Sequence, residues 1–110
     1  MQTVNTRISI ATYDGHFFFN PEEIIRLEAS SNYTNIYFTN KKKMLTAKVL
    51  KDYEEILEPL GFLRTHRSHL VNIKHVLFVD AKGKIFMQDQ SRAEISRRKR
   101  SEVMRALRAA

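Results

Sequence analysis

The sequence predicts a mainly β domain of the α+β class that contains one or two helices. Short segments rich in alternating, β-branched or aromatic residues recur along the chain, separated by turn signals such as Asp14-Gly15 and Lys82-Gly83. Helical spacing of apolar residues is found over 48–60 and, more thinly, over 97–109. With 110 residues, 43% of them hydrophobic and 28% charged, the chain has the size and composition of one folded domain spanning 1–110.

The N-terminal part of the chain predicts antiparallel hairpins. Polar and apolar residues alternate over 7–12 and an extended aromatic run covers 16–19, so the intervening Asp14-Gly15 turn closes a hairpin. Asn20 then caps one turn of helix at residues 21–23. Three more strands, with exposed tips at 30–32 and 40–43 between them, are predicted over residues 24–29, 33–39 and 44–47.

Residues 48–60 predict an amphipathic helix that packs on the sheet. Its apolar side chains are spaced to share one face, whereas its charged side chains face water. Gly61 is expected to end the helix. The predicted apolar face consists of Val49, Leu50, Tyr53, Ile56, Leu57 and Leu60.

The second half of the chain begins with a segment, residues 62–73, that is too polar for a continuous core and too apolar for a free loop. A hairpin over 76–88 and a short strand over 92–95 follow it. Ser96 is predicted to cap a helix over 97–109, which has few apolar residues to anchor it.

The charge of the chain is unevenly distributed. The formal net charge is +7, and all of the positive surplus lies in residues 61–110, because residues 1–60 contain slightly more acidic than basic side chains. Such a surplus favours a polyanionic partner. Nucleic acid is the first candidate, an anionic membrane surface is the second, and a solvated face without a partner is the third.

Several function classes are disfavoured by composition. The absence of cysteine excludes disulfides, thiolate catalysis and cysteine-ligated zinc. No acidic residue lies between His66 and His75, and the nearby cations Arg64, Arg67 and Lys74 would repel a dication, so we expect no metal site. No nucleophile is paired with these histidines, and we expect neither catalysis nor a cofactor. The apolar runs are too short for a membrane span, and no secretory leader is expected.

Three polar segments are candidate binding elements. The string Arg64–Ser68 offers two guanidinium groups, two hydroxyls and an imidazole, which suit phosphates and base edges. A second basic cluster, Arg97–Lys99, follows Ser96, where a helix start would favour an anion. The tip Ser31–Thr34 is the third segment. Solvated charge is the alternative interpretation of each cluster alone.

These segments resemble the LytTR-type DNA-binding domain. The resemblance rests on the string Phe62–Ile73, which reads FLRTHRSHLVNI, together with a preceding amphipathic helix and a later hairpin. A Ser-Arg-Arg triplet at 96–98 and an Asn-Tyr tip at 32–33 complete it. It covers a core of about residues 7–108, nearly the whole chain. At His69 the sequence departs from the aromatic residue usual in the family.

The resemblance implies an elongated arrangement of β-sheets that reads DNA through loops, as the output domain of a bacterial response regulator in a two-component system. Base contacts are implied at Arg67, Arg97 and Tyr33 or Thr34. Backbone or supporting contacts are implied at Asn32, Arg64, His66, Ser68, Arg98 and Lys99.

The family also implies that the domain bends the DNA, and we expect a cytoplasmic protein. No apolar helical seam is visible in the sequence, so we expect the isolated chain to be a monomer that occupies repeated half-sites on duplex DNA. A receiver domain is expected in a full-length protein and is absent from this sequence. Two alternatives stay open. Single-stranded RNA could stack on Phe17, Phe18, Tyr33 and Tyr37. A histidine-dependent nuclease would need a metal or a carboxylate partner.

Overall fold

The structure of the protein is a computed structural model that describes residues 7–110; residues 1–6 of the predicted domain lie outside this range. The described chain is mainly β with two α-helices, as predicted. The strands are β1 Ile8–Thr12, β2 Gly15–Phe19, β3 Ile24–Ser30, β4 Tyr33–Phe38, β5 Lys43–Thr46, β6 Phe62–His66, β7 His69–Asn72, β8 Val76–Val79, β9 Lys84–Met87 and β10 Arg92–Glu94. The helices are α1 Leu50–Leu57 and α2 Arg100–Ala109, and single 3₁₀ turns occur at Pro21–Glu23, Glu58–Leu60, Ile73–His75 and Arg97–Lys99.

The strands form three antiparallel sheets. β1 and β2 form a two-stranded sheet, β8 to β10 form a three-stranded sheet with β9 in the middle, and the largest sheet has the order β5-β4-β3-β7-β6. In the largest sheet the hairpins β3–β4 and β6–β7 are joined by the pairing of β3 with β7, in which Leu27 lies opposite Leu70. β7 is therefore an inner strand of the largest sheet.

The hairpin β6–β7 explains the mixed pattern of residues 62–73. In β7, Leu70, Val71 and Asn72 are all buried, because both faces of the strand are covered. A strand buried on both faces has no alternation of polar and apolar residues, so periodicity alone does not identify it.

The predicted helix over 48–60 is shorter in the structure. α1 spans Leu50–Leu57, and the turn containing Pro59 continues as a 3₁₀ helix up to Gly61, which has a left-handed φ of 99°. The predicted apolar face is wrong at two positions, since Val49 is 41% and Ile56 is 40% exposed. Val49 is extended and precedes the helix, and Ile56 projects about 90° from the centre of the buried face at 100° per residue.

Ser96 does not cap the C-terminal helix with its side chain. Residues Arg97–Lys99 form a 3₁₀ turn, and α2 begins at Arg100. The Ser96 backbone N–H instead donates to the carbonyl oxygen of Thr65 (2.9 Å), and its buried Oγ has no hydrogen-bond partner within residues 7–110. Val103 is the fully buried anchor of α2. No helix of the described residues is long and apolar enough to cross a membrane.

Two apolar cores are joined by buried polar contacts. The first core lies between the β1–β2 hairpin, α1 and the largest sheet, and the second lies between the other face of that sheet and β8–β10. Thr65, which is fully buried, links the sheets by donating from Oγ1 to the carbonyl oxygen of Glu94 (2.8 Å). Buried Arg26 forms a second link, because its Nε donates to the Oγ of Ser91 (2.9 Å).

Replacing Thr65 by valine keeps the shape of the side chain but leaves the Glu94 carbonyl oxygen without that donor. We expect Thr65→Val to lower the free energy of unfolding by about 1–2 kcal/mol, as measured by chemical denaturation. The exposed Thr39 serves as a control, and Thr39→Val is expected to change stability by less than about 0.5 kcal/mol. Equal stability of the Thr65→Val variant and the unmodified chain would contradict the proposed role of this hydrogen bond.

Candidate nucleic-acid interface

Two hairpin tips lie side by side at one end of the largest sheet. β3 pairs with β7 so that Glu28 is opposite His69, and one step further the Ala29 N–H donates to the carbonyl oxygen of Ser68 (2.9 Å). The tip that joins β3 to β4 follows directly, with Ser30 paired to Tyr33. The predicted binding segments Ser31–Thr34 and Arg64–Ser68 are therefore neighbours in space although they are about thirty residues apart in sequence.

The segment Arg97–Lys99 reaches the same end of the sheet through β6. The hydrogen bond from the Ser96 N–H to the Thr65 carbonyl oxygen fixes the start of the Arg97–Lys99 turn beside the last residues of β6. We call this region, made of Ser31–Tyr33, Arg67-Ser68 and Ser96–Lys99, the loop end of the sheet.

A basic groove of about 550 Å³ lies at the loop end. Cationic groups from two of the segments meet in it, together with one carboxylate. The residues that line it are Glu54, Arg64, His66, Arg67, Ser96, Arg98 and Lys99. The Glu54 carboxylate is paired with Arg64 (2.7 Å), so the groove keeps a positive excess.

Arg64 is committed to internal contacts. Its guanidinium donates from Nη1 to Glu54 Oε1 (2.7 Å), from Nε to the His66 carbonyl oxygen (3.0 Å) and from Nη2 to the Arg67 carbonyl oxygen (2.6 Å). These three bonds attach the β6–β7 turn to α1. Of the two roles predicted for Arg64, the geometry matches loop support and leaves little capacity for phosphate.

The turn at Arg67-Ser68 is held in place so that Arg67 projects outward. The Ser68 N–H donates to His66 Nδ1 (3.0 Å), and the Ser68 carbonyl oxygen accepts from Ala29. Arg67 itself is exposed. The His66 ring and the Ser68 backbone therefore hold the turn on which the exposed Arg67 lies.

The predicted contact residues of the β3–β4 tip differ in their accessibility. Tyr33 is 49% exposed, and Asn32 is also exposed. Thr34 is fully buried, and its Oγ1 donates to the carbonyl oxygen of Lys48 (2.8 Å). The prediction of a base contact at Thr34 is wrong, because alternate residues of β4 point to opposite faces and Thr34 points inward.

Of the remaining predicted residues, Arg97 and Arg98 are exposed, and Lys99 is half-buried with Nζ 3.5 Å from the Arg64 carbonyl oxygen. The lysine tip Lys41–Lys43 lies elsewhere. It follows β4 at the opposite end of the sheet. At the rise of an extended strand, β4 covers about 17 Å from Tyr33 to Phe38.

Two residues with a structural role in this region were missed by the sequence analysis. Glu54 was assigned to the water-facing side of its helix, and Thr65 was grouped with the contact residues. The roles of both residues depend on contacts between segments that are distant in sequence. The local sequence around an acidic residue on a helix or a threonine on a strand does not indicate such a partner.

The histidines form no metal site in the described structure. No group of three or more histidine or acidic side chains within residues 7–110 could hold a metal ion. The His66 and His69 rings meet edge to face with centroids 5.4 Å apart, and His69 Nδ1 is buried without a described hydrogen-bond partner. Burial lowers the pKa of His69, nearby His66 and Arg26 act in the same direction, and Glu28 opposes them.

Known proteins share this architecture. The model of one protein family, described as "LytTr DNA-binding domain", matches residues 14–108. The transcriptional regulatory protein LytR of Staphylococcus aureus strain N315 is 38% identical over 55 residues, which is 50% of this chain and 22% of that relative, and the LytR of strain USA300 gives the same values. A solved LytTr DNA-binding domain from Bacillus cereus has the same fold, with a TM-score of 0.76 and 23% identity over 93% of this chain and 96% of that one.

Because the imidazole of His69 is half-buried and its Nδ1 has no hydrogen-bond partner within residues 7–110, we expect the stability of the chain to depend on pH. An unfolded histidine titrates near pH 6.5. Because the pKa of His69 is lower in the folded chain, the unfolded chain binds more protons below that pH, and the free energy of unfolding should fall as the solution is acidified through pH 6.5. His69→Phe removes the titrating group and the unpaired Nδ1, so its stability advantage over the unmodified chain should grow between pH 7 and pH 5.

Chemical denaturation at a series of pH values measures this difference. His16→Phe, at an exposed position, is the matched control and should leave the pH slope unchanged. If His69→Phe and the unmodified chain lose stability in parallel on acidification, the imidazole of His69 is not responsible for the slope.

Proposed function

The chain belongs to the family of LytTr DNA-binding domains, and from this membership we propose that it binds duplex DNA sequence-specifically as the output domain of a bacterial transcription regulator. The observation that carries the proposal is the convergence of three segments at the loop end, where a groove of about 550 Å³ is lined by basic side chains. Duplex DNA presents a regular array of phosphates beside base edges, which is the partner that such a surface suits.

The residues at the loop end and directly beside it are proposed to have three roles. Arg67 and Arg97 place guanidinium groups against guanine edges in the major groove. Asn32 and Tyr33 contact bases or the backbone from the neighbouring tip, and Arg98 and Lys99 contact phosphates. The supporting residues are Arg64, His66 and Ser68, whose hydrogen bonds hold the turn that presents Arg67.

The size of the molecule supports a footprint of about one helical turn for each chain. Its two longer extents are 42 and 41 Å, whereas a turn of the duplex is about 34–36 Å. The isolated chain is proposed to be a monomer that occupies repeated half-sites and bends the DNA between them. Light scattering of the free chain and gel shifts on one and two half-sites test this, and a stable dimer without DNA would contradict it.

The place of the domain in a longer regulator is also a proposal. The match covers 22% of the length of the curated relatives. A receiver domain elsewhere in a full-length protein would supply the signal and the dimerisation, in the cytoplasm. The binding activity itself uses hydrogen bonds and charge, without catalysis or a cofactor.

The two alternatives have less support. A stacking surface for single-stranded RNA needs its aromatic rings on one face, but Phe17 and Phe18 are adjacent in β2 and point to opposite faces. Phe18 lies under the Arg7 guanidinium (5.5 Å), and Tyr37 stacks with Arg26 (4.0 Å). A histidine nuclease would need a metal or an available carboxylate near His66 and His69. The described residues contain no metal-binding cluster there, and the neighbouring Glu28 carboxylate is paired with Arg26 (2.7 Å).

Substitution of the proposed base readers tests the function. We expect Arg67→Ala and Arg97→Ala each to cost about 1–3 kcal/mol of binding free energy and to relax the preference at one base pair, because each removes a bidentate contact with guanine. The measurement is a selection from a random duplex library for each variant, followed by titration of the recovered duplex. Lys42→Ala removes the same charge at the opposite end of the sheet and should preserve the base preference.

A result in which Arg67→Ala retains both affinity and base preference would remove Arg67 from the proposed readers. If neither the unmodified chain nor any variant enriches a sequence, specific duplex binding is itself wrong.

A further inference from the structure

The C-terminal helix carries basic residues that the loop end does not use. Residues 97–109 contain six of the nineteen basic side chains of the protein and one acidic side chain, Glu102. Three of the six form the turn Arg97–Lys99 at the loop end. The other three, Arg100, Arg105 and Arg108, belong to α2 and have no part in the function proposed above.

These three arginines share one side of α2. Val103 is fully buried and Leu107 is half-buried, so they define the face that packs on the protein. On the solvent side, the three arginines and Met104 surround an open groove of about 670 Å³. None of the three takes part in an ion pair within residues 7–110.

Arg100 extends the basic surface onto the β8–β9 turn. Its Nη2 donates to the carbonyl oxygen of Ala81 (2.8 Å). Its Nη1 lies 3.1 Å from the position that a Cβ would occupy at Gly83, so a larger residue there would crowd the guanidinium. Gly83 has a φ of 89°, a backbone conformation that also favours glycine. The contact holds Arg100 beside the exposed Lys82. We call Lys82, Arg100, Arg105 and Arg108 the flank surface.

We propose that the flank surface binds the phosphates of duplex DNA that lies outside the base pairs read by the loop end. This inference rests on the function proposed above. α2 begins at the residue that follows Lys99, so the duplex held at the loop end is the nearest polyanion to the helix. Exposed guanidinium groups without a carboxylate partner are suited to phosphate, which they bind through two parallel hydrogen bonds.

The dimensions of α2 agree with this partner. Arg100 and Arg108 are eight residues apart, or about 12 Å along a helix axis. One strand of duplex DNA advances about 3.4 Å per phosphate, so the flank surface spans three to four phosphates. DNA that continues straight past the loop end would leave α2 free, and DNA that bends towards α2 would gain these contacts in return for the bending energy.

Other polyanions fit the surface less well. A membrane-bound helix needs a broad apolar face towards the lipid, whereas the apolar residues that line the groove on α2 are Met104 and Ala109, both flanked by arginines. An acidic protein is the partner that unchanged binding to both duplexes in the following experiment would favour.

The test compares two duplexes. The first is the minimal duplex recovered by selection with the unmodified chain, and the second is the same duplex extended by about ten base pairs, one helical turn, on each side. We expect Arg105→Ala/Arg108→Ala to bind the minimal duplex with unchanged affinity and the extended duplex several-fold more weakly. The slope of log affinity against log salt on the extended duplex should become shallower by about 1.8, corresponding to two lost phosphate contacts.

Bending gives a second measurement. Energy transfer between dyes at the two ends of the extended duplex should rise when the unmodified chain binds and should rise less with the double variant. Arg105→Lys/Arg108→Lys keeps the charge and should retain most of the affinity. Lys41→Ala/Lys42→Ala removes two charges at the opposite end of the sheet and should behave like the unmodified chain on both duplexes.

Each outcome is decisive. Equal losses on both duplexes would overturn the proposal by placing these arginines in the primary contact, and unchanged binding on both would overturn it in favour of another partner such as an acidic protein. Circular dichroism verifies that the variants fold. Binding of the unmodified chain to the minimal duplex tests the proposed function separately, so failure of one proposal is distinguishable from failure of the other.

Discussion

The pairing of β3 with β7 is the interaction on which the proposed binding surface depends. It joins two hairpins that are separated along the chain by β5 and α1, and it sets them in a register that aligns their tips. The final bond of this ladder, from the Ala29 N–H to the Ser68 carbonyl oxygen, lies within the turn that presents Arg67. A slip of one residue would also turn the buried Leu27 and Leu70 to the wrong faces, so the core and the binding surface specify the same register.

Buried and exposed arginines have different functions in this molecule. Arg26 and Arg64 are enclosed by the fold and use their donors on carboxylates, a hydroxyl and backbone carbonyl groups, which connect its layers. Arg67 and Arg97 are exposed. A guanidinium group has five donors in a fixed plane, so it can act equally well as an internal link or as a reader of DNA, and burial decides which role it takes.

The sequence predicts features that have local signals, and it does not predict features that depend on contacts between distant segments. The hairpins at Asp14-Gly15 and Lys82-Gly83 were predicted correctly because their turn residues and strand periods are local signals. The exposure of Ile56 and the burial of Thr34 were missed because the packing of neighbouring elements decides them. The candidate segments were identified from their chemistry and a family resemblance, but their convergence at one end of the sheet follows only from β3–β7 pairing and from the bonds at Thr65.

We propose that the loop end of the largest sheet contacts DNA. Titration of the isotope-labelled chain with its selected duplex, followed by the backbone amide signals in NMR spectra, tests this most directly. We expect the largest signal changes at Asn32-Tyr33, Arg67-Ser68 and Ser96–Lys99, with little change at Asn40–Lys43. Changes centred on Asn40–Lys43 or on the aromatic strand β2, with the loop end unaffected, would contradict it.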